Sequence, residues 1–155
     1  MPEDKANIEG NNSSAAAMPR RHLPLLTKDN TFFWQAGAEG LLRFMHCEAC
    51  SRAIHPPAPI CPRCKSRHVS PRAVSGKATV ESYTINTHRW ERGLDEPYAI
   101  AIVSIVEQPD VRLTTNIVNC PVQAVHIGMR VRVLFEQHED VWLPFFEPDS
   151  ETHDH

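Results

Sequence analysis

Two Cys-x-x-Cys pairs in the first half of the chain restrict its fold more than any other feature. The first is "CEAC" (residues 47–50), the second is "CPRC" (61–64), and ten residues separate them. Four thiols in this order suit a redox centre, two disulfides or a metal ion. The roughly 30 residues around them are too few to bury a hydrophobic core of their own. This region therefore needs a covalent or metal link.

A metal site explains these cysteines best. Zinc binds thiolates tetrahedrally, and each pair places two sulfurs on one side of the ion. A thioredoxin-type centre requires a single pair at a helix start in a βαβ unit, which the sequence does not predict. Disulfides require an oxidising compartment, whereas the polar N-terminus has no signal-peptide pattern and predicts a cytoplasmic protein. We predict a structural zinc site, with iron fitting the same geometry, from four ligands: Cys47, Cys50, Cys61 and Cys64.

The chain after Gly76 has the two-residue periodicity of β-strands. Five segments show it: "KATVESYTINTHRW", "PYAIAIVSIVE", "VRLTTNIVNC", "MRVRVLFEQHE" and "VWLPFF". In the fourth, Val131, Val133 and Phe135 are predicted to point inward, between outward Arg130, Arg132 and Glu136. A helical turn is predicted at "PVQAVHIG", between the third and fourth strands. Five strands with an insert at this place predict an OB-fold barrel.

A short helix is predicted before the cysteine region, which is termed the ribbon below. Asp29 or Asn30 is a suitable N-cap, and Gly40 is a suitable stop. The helix carries three adjacent aromatic residues, Phe32, Phe33 and Trp34. Three neighbours on a helix cannot all face one core, so we expect at least one to be exposed or to contact a partner. Packing of all three against the protein's own ribbon and barrel is the alternative.

These patterns predict a mainly β fold in five parts: a disordered tail (1–22), the N-terminal helix (23–40), a zinc ribbon (41–72), the OB-fold (73–148) and a second tail (149–155). The charge is unevenly spread over them. Residues 43–92 hold nine Lys or Arg against three Glu, whereas residues 93–155 hold three Arg against eleven acidic residues. This distribution predicts an anion-attracting surface confined to one part of the molecule.

The order of the motifs resembles a known family. The run from "FFWQAGAEGLLRFMHCEAC" through "CPRC", "SGKATVESYTI", "PYAIAIVSI" and "IGMRVRVLFE" to "WLPFFEP" is similar to the acyl-CoA-associated ribbon/OB family, often found beside thiolases. The resemblance covers roughly residues 24–148 and implies a rubredoxin-like ribbon whose four cysteines bind the metal. In two departures from the family pattern, Ser51 and Lys65 stand where glycine commonly follows each cysteine pair, and "VEQPDV" lacks a glycine.

Members of that family resemble non-catalytic accessory chains of thiolase-, aldolase- or hydratase-like enzymes that act on CoA thioesters. The sequence agrees, since it holds no nucleophile elbow, zinc-protease helix or Gly-rich phosphate loop. Cys120 is the only spare thiol, and a small apolar role suits it. Because CoA carries phosphates, we expect Arg63 and Lys65 on the second cysteine pair to contact it.

Two other functions stay open at this point. A ribbon followed by an OB-fold also occurs in nucleic-acid-binding proteins, and "SYTINTHRW" supplies Tyr83, His88, Arg89 and Trp90 for such contacts. The net charge of −3 argues against this role. The third function is a free-standing acyl-CoA binder or carrier. A salt-dependent gel shift distinguishes nucleic-acid binding, and co-purification distinguishes the accessory chain from the free binder.

Overall fold

The computed structural model describes residues 21–150. The predicted tails, 1–22 and 149–155, lie outside the described residues except for 21, 22, 149 and 150. The elements are α1 (Thr31–Gln35), a 3-10 turn (Ala36–Glu39), β1 (Leu42–Cys47), β2 (Ala53–Ile54), β3 (Val69–Val74), β4 (Lys77–Asn86), β5 (Tyr98–Ile105), β6 (Arg112–Ile117), a second 3-10 turn (Val122–Ala124), β7 (Arg130–His138) and β8 (Val141–Pro148). Among residues 21–150, no helix is long and apolar enough to cross a bilayer. The predicted mainly β fold is confirmed.

The first three strands form the ribbon sheet. β1 lies in the centre and pairs antiparallel with β2 and β3. The pairing of β1 with β3 runs from Leu42 opposite Val74 to Cys47 opposite Val69. The first cysteine therefore lies at the end of the central strand, where the sheet holds its backbone.

The other five strands close into a barrel in the order β4-β5-β6-β8-β7, with β7 returning to β4. All five predicted strands are present, and the predicted helical turn is the second 3-10 turn. Neighbours pair antiparallel except β6 and β8, which run parallel and share a single residue pair, Ile117 opposite Phe146. The OB-fold prediction is confirmed. Its seam between β6 and β8 is the least hydrogen-bonded part of the barrel wall.

The alternation predicted for β7 is present but not uniform. Val131 is fully buried, whereas Val133 and Phe135 are half-buried and pack against the core. Glu136 was predicted to face solvent, and it is instead half-buried and accepts a hydrogen bond from Arg21 Nε at 2.9 Å. The N-terminal segment, through Arg21, thus covers part of the β7 face that the alternation assigned to solvent.

The hydrophobic core joins the ribbon to the barrel. Leu42 and Phe44 of β1 are buried in the same cluster as Val80, Val103 and Phe146 of the barrel. A second, smaller cluster surrounds the cysteines and contains Cys47, Ile54 and Cys61. The ribbon therefore has one face in the main core, and its cysteine end depends on a separate small cluster.

The N-terminal helix is shorter than the segment predicted for it. Asn30 occupies the N-cap position, but its side chain makes no capping bond to the helix and instead accepts from the Thr27 N–H at 2.8 Å. Gly40 ends the 3-10 turn with a left-handed φ of 70°, as predicted. A five-residue helix is marginal alone, so packing must hold it in place.

Gly37 lies where the helical segment packs tightly against the side chains of β7 and β8. A Cβ built on it would lie 2.4 Å from Trp142 Cβ and 2.6 Å from Phe135 Cδ1. We expect Gly37→Ala to lower the free energy of unfolding by about 1–3 kcal/mol, because the segment must move away from β7 and β8. Urea titration measures the change. Ala38→Ser, an exposed substitution on the same turn, should cost less than about 0.5 kcal/mol; equal costs would contradict this packing.

Candidate functional site

The four cysteines of the ribbon meet at one point. Their Sγ atoms all lie within 4.8 Å of one another. The sulfurs of Cys47 and Cys64 are 3.5 Å apart, and those of Cys50 and Cys61 are 3.7 Å apart. A tetrahedral zinc ion with Zn–S bonds of about 2.3 Å requires sulfurs roughly 3.8 Å apart. The cluster fits a four-thiolate zinc ion, and four protein ligands leave no open position for substrate.

The two cysteine pairs have the same local geometry. The Ser51 N–H donates to Cys47 O at 2.8 Å, and the Lys65 N–H donates to Cys61 O at 3.0 Å. Ser51 and Lys65 both adopt left-handed backbone, with φ of 59° and 63°. These are the two positions where the family pattern favours glycine, so the chain accepts strain at both turns. Correct placement of the four sulfurs requires these turns.

Backbone N–H groups around the cluster favour thiolates. The N–H of Cys64 points at the Cys61 sulfur and lowers the pKa of Cys61 to about 6, against the opposing effect of burial. The N–H of Cys50 likewise lowers the pKa of Cys47. Burial raises the pKa of Cys50 to about 11. One thiol of each pair is thus prepared to bind a cation, and a bound ion must displace the Cys50 proton.

The second cysteine pair also carries free positive charge. Arg63, Lys65 and Arg67 are exposed, and no carboxylate among residues 21–150 forms an ion pair with any of them. The Lys65 ammonium donates to the Pro62 carbonyl at 2.8 Å, which holds it against the ribbon. These three cations form an unneutralised edge beside the metal site, here termed the ribbon edge.

Other cations of the basic segment are matched by acids. The Arg72 guanidinium lies 3.1 Å from Glu48, Lys77 lies 3.8 Å from Asp149, and Arg89 lies 3.3 Å from Asp95. Arg52 is paired with Asp110. The basic surface predicted from the sequence is therefore narrower than its residue count suggests, because acids from other segments fold against it.

The aromatic helix packs on the protein itself. Phe33 is buried, with its ring centroid 4.9 Å from that of Trp34 and 5.0 Å from that of His55. Phe32 and Trp34 are half-buried and contact the main core. One of the three rings is thus buried and the other two are half-buried, so none is fully exposed.

A cleft that the sequence did not predict opens beside this helix. Its volume is about 710 Å³, and its walls come from six segments: the N-terminal segment, the helix, the proline loop of the ribbon, the loop after β4, β6 and β8. His55 lines it, and the Nδ1 atom of this ring is buried without a hydrogen-bond partner. Residues so distant in sequence leave no local pattern by which to predict the cleft.

Cys120 shows no activation. It is half-buried next to the main core, and burial raises its pKa. His126, the base considered for it, has its Nδ1 2.9 Å from the Ala124 carbonyl. A nucleophilic thiol requires a lowered pKa and a basic partner. The structure favours the small apolar role predicted for this residue.

Comparison with known proteins gives the family. A ChsH2 rubredoxin-like zinc ribbon model matches residues 34–70, and a ChsH2 C-terminal OB-fold model matches residues 71–136. A DUF35 domain-containing scaffold protein of Methanothermobacter thermautotrophicus is 33% identical over 93 residues, or 59% of this chain and 68% of that protein. The chain belongs to the ChsH2/DUF35 family. This confirms the resemblance and, with the clustered sulfurs, the structural zinc site.

Three further proteins extend the comparison. A chain of the solved "Ltp2-ChsH2(DUF35) aldolase" superposes with a TM-score of 0.73 at 31% identity, covering 81% of this chain and 98% of that one. A "probable enoyl-CoA hydratase alpha subunit" of Thermomonospora curvata is 33% identical over 129 residues, which are 83% of this chain. The chain spans about 40% of that relative's length. A DUF35 structure from Sulfolobus solfataricus (TM-score 0.58, 18% identity, covering 79% of this chain and 86% of that one) shares the fold.

Proposed function

We propose that this chain is a non-catalytic accessory subunit that binds and completes an aldolase-, thiolase- or hydratase-like enzyme acting on acyl-CoA thioesters. The observation that carries the proposal is the match to one chain of the solved "Ltp2-ChsH2(DUF35) aldolase", over 98% of that chain's length. Almost nothing of that chain lies outside the matched fold. The relative described as an enoyl-CoA hydratase alpha subunit supports the same class of partner.

The geometry of the site supports the proposal that the chain alone has no catalytic activity. The zinc cluster is closed by four thiolates, so it offers no position at which to polarise a carbonyl. Cys120 lacks the environment of a nucleophile. Among residues 21–150, one His–carboxylate contact that could act as an acid/base pair is largely shielded from solvent. It joins His138 Nε2 to Glu136 Oε1 at 2.5 Å, and Arg21 donates to the same carboxylate. That carboxylate serves the anchoring of the N-terminal segment.

Nucleic-acid binding is the weaker candidate. Trp90 is 71% exposed on the loop after β4, but Arg89 beside it is paired with Asp95. Arg89 is thus not free to contact a phosphate backbone beside Trp90, as the cations of single-strand-binding barrels do. An electrophoretic shift of single-stranded DNA or RNA that weakens with salt would favour this candidate over the accessory role.

Co-purification from the source cell tests the proposed function. We expect the tagged full chain to retain a thiolase-, aldolase- or hydratase-like enzyme through gel filtration, identified by mass spectrometry. Cys47→Ser, which removes a metal ligand, should lose that protein, whereas Cys120→Ser should retain it. Recovery of the wild-type chain as a monomer that binds acyl-CoA without any partner would instead favour a free-standing binder.

The ribbon edge supplies a second proposal, that Arg63 and Lys65 contact CoA phosphates at a site formed with the partner. Both side chains are unneutralised and sit on backbone held by the metal. Each of Arg63→Ala and Lys65→Ala should weaken CoA binding to the complex about threefold to tenfold. Calorimetry with CoA and dephospho-CoA measures it, with Arg89→Ala as the paired-cation control. Equal affinities in all three variants would remove the ribbon edge from the site.

The aromatic helix supplies a third proposal, contact with the partner through the exposed edges of Phe32 and Trp34. Phe33 is buried and acts in this contact only by holding the helix. Trp34→Ala should therefore weaken the complex by about tenfold or more, because half-buried aromatic residues anchor interfaces. Surface plasmon resonance against the purified partner measures the change. A variant that loses monomer stability but keeps its partner affinity would show that the helix packs only on its own chain.

A further inference from the structure

The cleft beside the aromatic helix has an apolar floor. Phe33, Leu113 and Phe145 line it, and all three are buried. It lies along the seam of the barrel, where β6 and β8 share one residue pair. Its volume of about 710 Å³ falls in the range of sites that enclose small organic ligands. Volume and lining together suit a small, mostly apolar molecule.

The charged groups around the cleft are internally matched. Three contacts account for them: the ion pairs of Arg21 with Glu136 at 2.9 Å and of Arg112 with Glu81 at 2.5 Å, and the contact of the Glu91 carboxylate with the His22 ring at 2.7 Å. Arg21 also lies over the Phe145 ring, 4.6 Å from its centroid. An occupant that carries charge inside the cleft would have to compete with these pairs. The cleft therefore favours a ligand segment without net charge.

His55 gives the cleft a single, fixed polar group. Its ring packs between Phe33 and Phe44, at centroid distances of 5.0 and 5.1 Å. Burial lowers the pKa of His55 to about 4, so the ring is neutral at physiological pH. Nδ1 is buried without a partner, and an unpaired buried donor N–H is the rarer arrangement. We assign the proton to Nε2, because Nδ1 is the nitrogen that is buried without a partner in this ring, which lines the cleft.

We propose that this cleft binds the uncharged acyl-pantetheine arm of a CoA thioester, with His55 donating a hydrogen bond from Nε2 to a carbonyl of that arm. The inference rests on the proposed function, since it names the part of the substrate that this chain holds. An acyl-pantetheine arm is elongated and neutral, and its thioester and amide carbonyls accept hydrogen bonds. Those properties match the apolar floor, the paired charges and the single donor.

Titration calorimetry on the full chain without partner tests this, with hexanoyl-pantetheine as the probe. Thr114 is exposed on β6 and lines the cleft, so Thr114→Trp should narrow it and weaken binding more than tenfold. Thr84→Trp, at an exposed position of β4 outside the cleft, should leave the affinity unchanged. Hexanoate, which keeps an acyl chain but carries a charge, should bind at least tenfold more weakly.

His55→Phe separates binding from folding. It keeps an aromatic ring between Phe33 and Phe44 but removes the donor and the orphaned nitrogen. We expect hexanoyl-pantetheine to bind about threefold to tenfold more weakly. The melting temperature of the variant should not fall by enough to account for this weaker binding. If His55→Phe does not fold, Thr114→Trp decides alone.

No saturable binding of hexanoyl-pantetheine to the wild-type chain, or binding that Thr114→Trp leaves unchanged, would overturn the inference. Retention of the partner enzyme in that case would leave the accessory function standing. Binding of hexanoyl-pantetheine by a chain that retains no partner would do the reverse, supporting the cleft and contradicting the accessory function.

Discussion

Removal of the zinc ion should unfold the ribbon and destabilise the barrel with it. Structural zinc contributes about 10–16 kcal/mol of apparent binding free energy in small ribbons and fingers, which is comparable with the whole stability of a domain of this size. Cys47→Ser, or a strong chelator, should therefore leave residues 41–72 unfolded, without a cooperative unfolding transition of their own, and cause aggregation. Circular dichroism and elemental analysis of the same sample measure folding and metal content together.

Cys120→Ser is the matched control for this prediction. Cys120 is half-buried like Cys50 but lies outside the cluster. Its replacement should leave one zinc ion per chain and change the free energy of unfolding by less than about 1.5 kcal/mol. A wild-type protein that is folded and free of metal would contradict the account of the ribbon.

Truncation of Phe44 should have the second largest effect, because this ribbon residue lies in the barrel core. Its side chain is fully buried and packs 6.0 Å from the Phe33 ring and 5.1 Å from the His55 ring. We expect Phe44→Ala to lower the free energy of unfolding by about 3–5 kcal/mol, as for other buried aromatic residues. Guanidinium titration of the zinc-loaded protein measures the loss.

Arg43→Ala, one residue earlier on the same strand, tests whether that loss comes from the core. Arg43 pairs at the surface with Glu39 of the first 3-10 turn, at 3.0 Å, and such exposed pairs contribute about 0.2–1 kcal/mol. The Phe44 variant should still bind one zinc ion, because Phe44 lies outside the cysteine cluster. Release of zinc on Phe44→Ala would show that the cysteine cluster is not independent of the main core that joins ribbon and barrel.

The ribbon, the metal and the barrel were predictable because each depends on local patterns. Two cysteine pairs at a fixed spacing define the cluster, and strand alternation with a turn between the third and fourth strands defines the OB-fold. The Gly40 stop was predictable for the same reason, since only a residue tolerant of left-handed φ fits there. Such features are written into neighbouring residues.

Features that depend on distant segments could not be predicted. The basic surface shrank because Glu48 and Asp149 fold against Arg72 and Lys77, and spacing along the chain does not reveal such pairs. The cleft arises where six segments meet. The burial of His55 follows from the position of the aromatic helix, which its own sequence leaves open.

The most direct test of the accessory role is the turnover of an acyl-CoA thioester by the co-purified partner, assayed with and without this chain. The chain alone should show no turnover, since its metal is fully ligated and its spare thiol is not activated. The partner alone should lose activity or solubility, and addition of the zinc-loaded chain should restore it, whereas the Cys47→Ser chain should not. Turnover by the purified chain alone, or a partner equally active without it, would contradict the account.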